Sequence, residues 1–337
     1  MMNMGGPSTI PETHDFLLRL FSDGDLIPLG PFQSWIAKAI AYRRTADIEK
    51  KYEEIGGGSP IRKWTSLQAS EACKLLDELS PETAPHKPYI AFRYAAPLTD
   101  TTYKQLLDDG ITRAVAFTQY PQYSYSTTRS SFNELRKVQR ELDPNGKITW
   151  SFIERWPTHP GLVKTFARHI QDQLNAFDES IRDQVVILFS AHSIPMSVVN
   201  QGDPYPAEVA ATAFHVMQEL KFSNPYRVVW QSQVGPRPWL GAQTAKVVAA
   251  LEQRESTKGI VVVPVAFTSD HIETLHEIDI ELKEEMKRPE LLRRAESLNG
   301  DPEFIKAIAD IAHAHLAEST EKQVESGAAI KPYIMRI

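Results

Sequence analysis

The run Val185-Val186-Ile187-Leu188-Phe189, followed at once by Ser190-Ala191-His192-Ser193-Ile194-Pro195, decides the fold class. Five apolar residues in succession, without polar alternation, read as a strand buried on both faces. Similar β-branched or aromatic runs recur at Pro88–Phe92, Arg113–Phe117, Ile148–Ile153, Tyr226–Trp230 and Ile260–Val265. Helically spaced segments lie between and around them: Ser66–Leu79, Thr102–Asp109, Ser131–Leu142, Gly161–Phe177, Pro206–Lys221, Gly241–Gln253, Asp270–Lys287 and Asp301–Leu316. Strands alternating with helices predict parallel sheets with crossover helices, an α/β protein. At 337 residues the chain exceeds one typical core. Two similar Rossmann-type α/β domains are expected, residues 1–130 and 131–337. The polar tail beyond Leu316 is expected to be partly free.

Composition narrows the function. Lys+Arg 37 against Asp+Glu 43 gives a net charge of −6, without the basic footprint of a nucleic-acid binder. The single cysteine, Cys73, excludes an internal disulfide, a four-cysteine zinc site and an all-cysteine iron–sulfur cluster within one chain. It reads as a small buried helix residue. No apolar run reaches the length of a membrane-spanning helix, and no secretory signal is visible.

Ligands of open parallel sheets sit beyond the carboxyl ends of the strands. Polar and aromatic groups recur there: Arg93-Tyr94, Thr118-Gln119-Tyr120, Glu154–His159, Ser190–Ser193, Gln231-Ser232-Gln233 and Ala266–Glu273. His192, just off a buried strand, reads equally as a base or metal ligand and as a histidine satisfied by loop backbone. Asp270–Glu281 is the densest titratable cluster. Glu273, Glu277 and Glu281 recur every four residues, one stripe on an α-helix. A solvated acidic face is one reading; a divalent-metal path of Asp270, His271 and the three glutamates is the other, suited to Fe²⁺, Mn²⁺ or Zn²⁺. The HExxH spacing is absent, because Ile280 stands where the second histidine would be. Gly56-Gly57-Gly58-Ser59-Pro60 lacks the Lys-Ser/Thr ending of a phosphate loop and reads as a tight turn that brings Ser59 near a ligand. Leu26–Arg44 is apolar with a basic end, either a membrane-interface segment or a helix packed on its own domain.

These segments together resemble the ferrochelatase family, across essentially the whole chain. Ile187–Pro195 is similar to the family signature; Gly56–Pro60, Phe92-Arg93-Tyr94, Gln231–Gly241, Phe267–Glu273 and Glu296-Ser297-Leu298-Asn299-Gly300 match in order, in detail closest to mitochondrial fungal members. The resemblance implies a chelatase-like fold, two similar α/β domains around a porphyrin cleft, with the last helix crossing back to the first domain. It implies insertion of Fe²⁺ into protoporphyrin IX with release of two protons, the terminal step of heme biosynthesis. It implies His192 over one face of the macrocycle and Glu273 under the other, with Glu277 and Glu281 continuing an acidic path. Arg44, Tyr52 and Ser59 fall where the family contacts the porphyrin and its propionates; Met4, Arg93, Tyr94, Trp239 and Phe267 fall in the pocket lining. His159 and Asp310 match further positions regarded as catalytic.

The resemblance also implies a homodimer resting on the matrix side of the inner mitochondrial membrane through a lip at about residues 26–44. Two departures stand out. Animal members carry a [2Fe–2S] cluster, with one cysteine in the loop before a Ser-Thr-Thr run and three near the C-terminus. Here Tyr125 holds the loop position and the C-terminus lacks cysteine, so no cluster and no permanently bound cofactor is expected. The strand and presequence that precede Asn3-Met4-Gly5-Gly6-Pro7 in the family are cut to almost nothing, so either the chain is a processed or trimmed form or its first strand is compromised. His192 as the neutral base with Glu273 as the iron donor is the favoured assignment, and the reverse is the other. The alternative is a tetrapyrrole or heme carrier without turnover.

Overall fold

The computed structural model describes residues 1–326 apart from Asp25, Pro28, Leu29 and Pro236. In chain order the strands are β1 Met2–Asn3, β2 Ala91–Phe92, β3 Arg113–Phe117, β4 Thr149–Ile153, β5 Val186–His192, β6 Tyr226–Gln231, β7 Ile260–Pro264 and β8 Leu292–Arg294. The α-helices are α1 Thr13–Ser22, α2 Gln33–Glu54, α3 Ile61–Leu79, α4 Thr99–Asp108, α5 Ser130–Leu142, α6 Pro160–Asn175, α7 Met196–Val199, α8 Tyr205–Glu219, α9 Thr244–Glu252, α10 Ile272–Leu275, α11 Leu282–Glu284 and α12 Pro302–Ser326.

All strand pairs are parallel. The C-terminal sheet runs β6-β5-β7-β8. In the N-terminal half β1 pairs with β2, β3 pairs with β4, and Met2 bridges Thr118 just past β3. That gives the row β2-β1-β3-β4, the same order of second, first, third, fourth. The repeated order is the two-fold α/β organisation expected from the alternation. β4 belongs to the first row, so the division at residue 130 falls between two strands that pair with each other; the first sheet extends to Ile153.

β5 and β7 carry the core. Ile187, Leu188, Phe189, Val261, Val262 and Val263 have no exposed surface, and burying each such side chain contributes about 1.5–3 kcal/mol. α6 presents Leu162, Phe166, Ile170 and Leu174 at helical spacing to this core. α12 packs against both α3 and α6, and Ala307 of α12 leaves no space for a side chain at Gly161, where an added Cβ would lie 2.4 Å from the alanine methyl.

At the amino end the strand is two residues long, held between two neighbours before Gly5 turns at φ +78°. Two local expectations are corrected. α12 continues past Leu316 to Ser326, while the end of the polar tail lies outside the described residues. The helix expected over Asp270–Lys287 is broken: α10 ends at Leu275, a π-helical turn spans Glu277–Glu281, and α11 follows. The His276 carbonyl accepts from both the Ile280 and Glu281 N–H groups, at 3.1 and 2.8 Å. This widens the turn by one residue. Neither β8 nor α1 was legible in the sequence pattern.

Candidate active site

β5 and β6 end in register, with His192 beside Gln231, and β7 flanks β5 on its other side. The crossovers leave β5 in opposite directions, so the carboxyl ends of β5 and β7 border a topological switch point. His192 closes β5, and Glu273 lies in the first turn after the β7 loop. His192 Nδ1 is 2.8 Å from Glu273 Oε2. This corrects the expected sandwich: the two groups do not face each other across a macrocycle. Adjacent strand ends, about 4.8 Å apart, deliver both to a single wall.

The wall is polarised. Burial alone would lower the His192 pKa, but the Glu273 carboxylate and its hydrogen bond raise it above the usual imidazole value. Burial would raise the Glu273 pKa, yet His192, its hydrogen bond, His271 and Ser232 together hold it down at about 2. For Glu277, burial and the Glu273 charge push the pKa up to about 7. The pair therefore favours the imidazolium–carboxylate form, beside a carboxyl poised to exchange its proton near neutral pH. Its side chain keeps 38% exposure and that of Glu273 21%, so the pair stays reachable.

Two residues missed as site members orient this pair. Ser232 Oγ lies 2.5 Å from Glu277 Oε2 and 3.1 Å from Glu273 Oε2. One hydroxyl proton serves one carboxylate at a time. Ser232 holds φ +61°, a left-handed conformation that is uncommon for a non-glycine residue. Gln231 Nε2 donates to the Glu273 carbonyl at 3.1 Å, while its Oε1 accepts from Ser190 Oγ at 2.6 Å. Their position at the end of β6 and just past it was the available signal.

Asp270, expected on the metal path, is instead the centre of a buried clamp. Its Oδ1 accepts from Thr274, Arg294 and Ser297, and its Oδ2 from Asn299. The Asn299 side chain returns an acceptor to the Asp270 N–H at 2.8 Å, and Gln68 of α3 donates to the carbonyls of Thr268 and Asn299. Burial would raise the Asp270 pKa, but Arg294 and these hydrogen bonds lower it. The Glu296–Gly300 motif thus fixes the start of α10, and with it Glu273. His271 packs on the Phe267 ring with centroids 4.5 Å apart, and its Nε2 is 3.9 Å from Glu273 Oε1.

The π-helical turn splits the expected acidic stripe. Glu277 stays with Glu273 at Ser232, whereas Glu281 Oε2 turns to Lys51 Nζ at 3.3 Å and His276 Nδ1 at 3.5 Å. His276 Nε2 meets Glu54 Oε2 at 2.8 Å. Lys51 and Glu54 belong to α2, so the lip helix is pinned to the π turn. Tyr52, buried between them, has its hydroxyl pKa raised by burial and then by the Glu273 charge. Ser59 is held close by the glycine turn: its N–H donates to the Pro7 carbonyl at 2.7 Å, and at Gly58 an added Cβ would lie 2.2 Å from the Ser8 carbonyl oxygen.

The remaining expected residues divide. The Met4 carbonyl accepts from the Tyr94 N–H at 3.0 Å. Arg93 is engaged by Asp23 and Glu134, each at 2.6 Å, and the Tyr94 hydroxyl donates to Asp23. Arg44 lies over the Phe21 ring at 5.7 Å. Trp239 bridges Pro195, and its buried indole N–H has no hydrogen-bond partner among the described residues. His159 caps α6, with Nδ1 accepting from the Gly161 N–H at 3.3 Å; burial lowers its pKa and Asp310 of α12 opposes that. The structure thus puts His159 and Asp310 together at the α6–α12 contact, not on the His192–Glu273 wall. Tyr125 donates its N–H to Asp203 at 2.8 Å, and Arg129 covers its ring at 5.1 Å. With Cys73 on α3 the lone thiol in the chain, these residues do not fit an iron–sulfur cluster.

A doubled parallel sheet with an imidazole–carboxylate wall at its switch point defines a chelatase-type α/β protein. The solved structure of SirB from Bacillus subtilis with Fe³⁺ agrees in fold, with a TM-score of 0.50 at 15% identity, covering 75% of this chain and 92% of that one. The chain belongs to the ferrochelatase family, whose profile matches residues 1–316. It is 56% identical to the mitochondrial ferrochelatase of Xenopus laevis over 322 residues, 95% of this chain and 78% of that protein. It is 48% identical to the mitochondrial ferrochelatase of Schizosaccharomyces pombe over 318 residues, 94% of this chain and 75% of that protein.

Proposed function

We propose that the His192–Glu273 wall is where this member of the ferrochelatase family inserts Fe²⁺ into protoporphyrin IX. The observation that carries the assignment is the 2.8 Å contact between an imidazole and a carboxylate at the switch point. Insertion exchanges one Fe²⁺ for two pyrrole protons, so the net charge of the filled site is conserved. Glu277, with a pKa near 7, releases its proton and offers the approaching Fe²⁺ an oxygen ligand beside Glu273. A cation at Glu273 cancels the charge that keeps His192 protonated. The imidazole then sheds that proton to solvent and takes up the two pyrrole protons in turn, passing each to solvent before the next. Met4, Tyr52, Ser59, Arg93, Tyr94, Trp239 and Phe267 are assigned to holding and bending the ring against this wall, which exposes the nitrogen lone pairs. Arg44 is assigned to a propionate.

The mitochondrial relatives support a mitochondrial location. We place the protein on the matrix side of the inner membrane, as a homodimer, with the lip on the lipid surface. Glu277→Gln tests the iron path. It should raise the KM for Fe²⁺ about tenfold or more and leave the KM for porphyrin near wild type in anaerobic absorbance assays. An unchanged iron KM removes Glu277 from the path.

A further inference from the structure

β4 is the outer strand of the first row, paired with β3. Of its residues only Ile153 is buried. The hydrogen-bond register shows which of its peptide groups face outward. The Thr149 N–H donates to the Thr112 carbonyl at 2.9 Å, and the Ile153 carbonyl accepts from the Thr118 N–H at 3.1 Å, so odd-numbered residues face β3. By that alternation the N–H and C=O groups of Trp150 and Phe152 point away from β3. Among the described residues no strand lies beside them.

α5 runs along this edge. The Arg136 guanidinium lies over the Phe152 ring, 5.6 Å from its centroid. Arg140 follows one turn later on the same side of the helix, with Lys137 beside them, and all three are exposed. Among the described residues neither arginine forms an ion pair. Glu134 of the same helix is taken by Arg93 at 2.6 Å, and Glu141 lies about 100° or more around the helix from each arginine. Four helical residues rise about 6 Å, and two strand residues about 6.6 Å. A strand laid along β4 therefore presents alternate side chains in step with Arg136 and Arg140.

We propose that the β4 edge and the arginines of α5 form a docking surface for an extended acidic segment of another protein, with carboxylates at alternate positions. The backbone of the segment bonds to Trp150 and Phe152, and two of its carboxylates meet Arg136 and Arg140. The open peptide groups select an extended chain, and the unpaired guanidinium groups select its charge. The exposed large apolar side chains of the described residues lie elsewhere, so a lipid surface finds no anchor on this face.

The test is fluorescence anisotropy on the full chain with a fluorescein-labelled peptide, Gly-Glu-Val-Glu-Val-Glu-Val-Gly, amidated at its C-terminus. Saturable binding is expected, weakened about tenfold or more when the peptide nitrogens are methylated and cannot donate. The double variant Arg136→Glu with Arg140→Glu should weaken binding about tenfold or more through like-charge contact. If that variant does not fold, Arg140→Glu alone, at an exposed position, should weaken it about threefold or more. No saturable binding, equal affinity of the methylated peptide, unchanged affinity in the folded variants, or displacement of the peptide by duplex DNA or cardiolipin vesicles at equal charge concentration would each overturn the proposal.

Discussion

Ser232 sets the proton inventory of the site although it is not itself titratable. Its hydroxyl stands between two carboxylates, and its donation lowers the Glu277 pKa against burial and the Glu273 charge. Without that donor the Glu277 pKa rises above its value of about 7. Because the ionised form is the iron ligand, turnover at low iron should rise with pH through this pKa. Ser232→Ala should shift that acidic limb to higher pH, read from kcat/KM for Fe²⁺ across pH 5.5–9. A profile superimposable on wild type would show that Ser232 does not control this carboxyl. At this scale the sequence marked His192, Glu273 and Glu277 as candidates because strand ends concentrate ligand-binding groups, and the structure brings the three together around Ser232. It misplaced them relative to one another. Strand order, not spacing along the chain, determines that His192 and Glu273 touch.

The element that holds Glu273 in place is the short α10, too short to fix its own start. The Asp270 clamp supplies the rigidity, joining the loop after β7 to the segment after β8 and, through Gln68, to α3. Asp270→Asn should destabilise the fold by about 3–5 kcal/mol at pH 7, since it leaves Arg294 buried without its full partner. The Asp270 pKa is depressed on folding, so its contribution is present above its unfolded pKa of about 3.9 and is lost as pH falls through the lower folded value. Denaturant unfolding at pH 7 and at stepwise lower pH checks both the loss and its reduced acid dependence in the variant. An unfolding midpoint equal to wild type would contradict the clamp. Periodicity could not reveal this element. Asp270 is separated by 24 or more residues from Arg294, Ser297 and Asn299, and β8, which brings Arg294 back, is three residues long. The π-helical turn was equally hidden, because a stripe at every fourth residue is identical on paper to an ordinary α-helix.

Across the whole molecule, the two-fold strand order was legible from continuous apolar runs, since β5 and β7 must be apolar to be buried on both faces. The boundary was not, because a turn at Asp143–Gly146 looks the same inside a domain as between domains. The lip reconciles two sequence readings. Ala37 and Ala41 of α2 pack against Leu17 and Phe21 of α1, while Trp35 is 78% exposed and Phe32 69% on the outward side. Among the described residues no helix is long and apolar enough to cross a membrane; Pro28 and Leu29 of the lip lie outside them. Aromatic side chains on an outward face with Arg43 nearby suit an anionic lipid surface. Trp35→Ser should reduce cosedimentation with cardiolipin-containing vesicles several-fold while leaving insertion in detergent unchanged. Equal vesicle binding would remove the lip from the interface. The most direct measurement is anaerobic Fe²⁺ insertion into protoporphyrin IX, followed by absorbance, for the wild-type chain and for Glu273→Gln. The expected result is protoheme formation by the wild type, and a variant that still binds the porphyrin but inserts iron at least a hundredfold more slowly. Insertion by Glu273→Gln within a few-fold of wild type would contradict the assignment of chemistry to this wall.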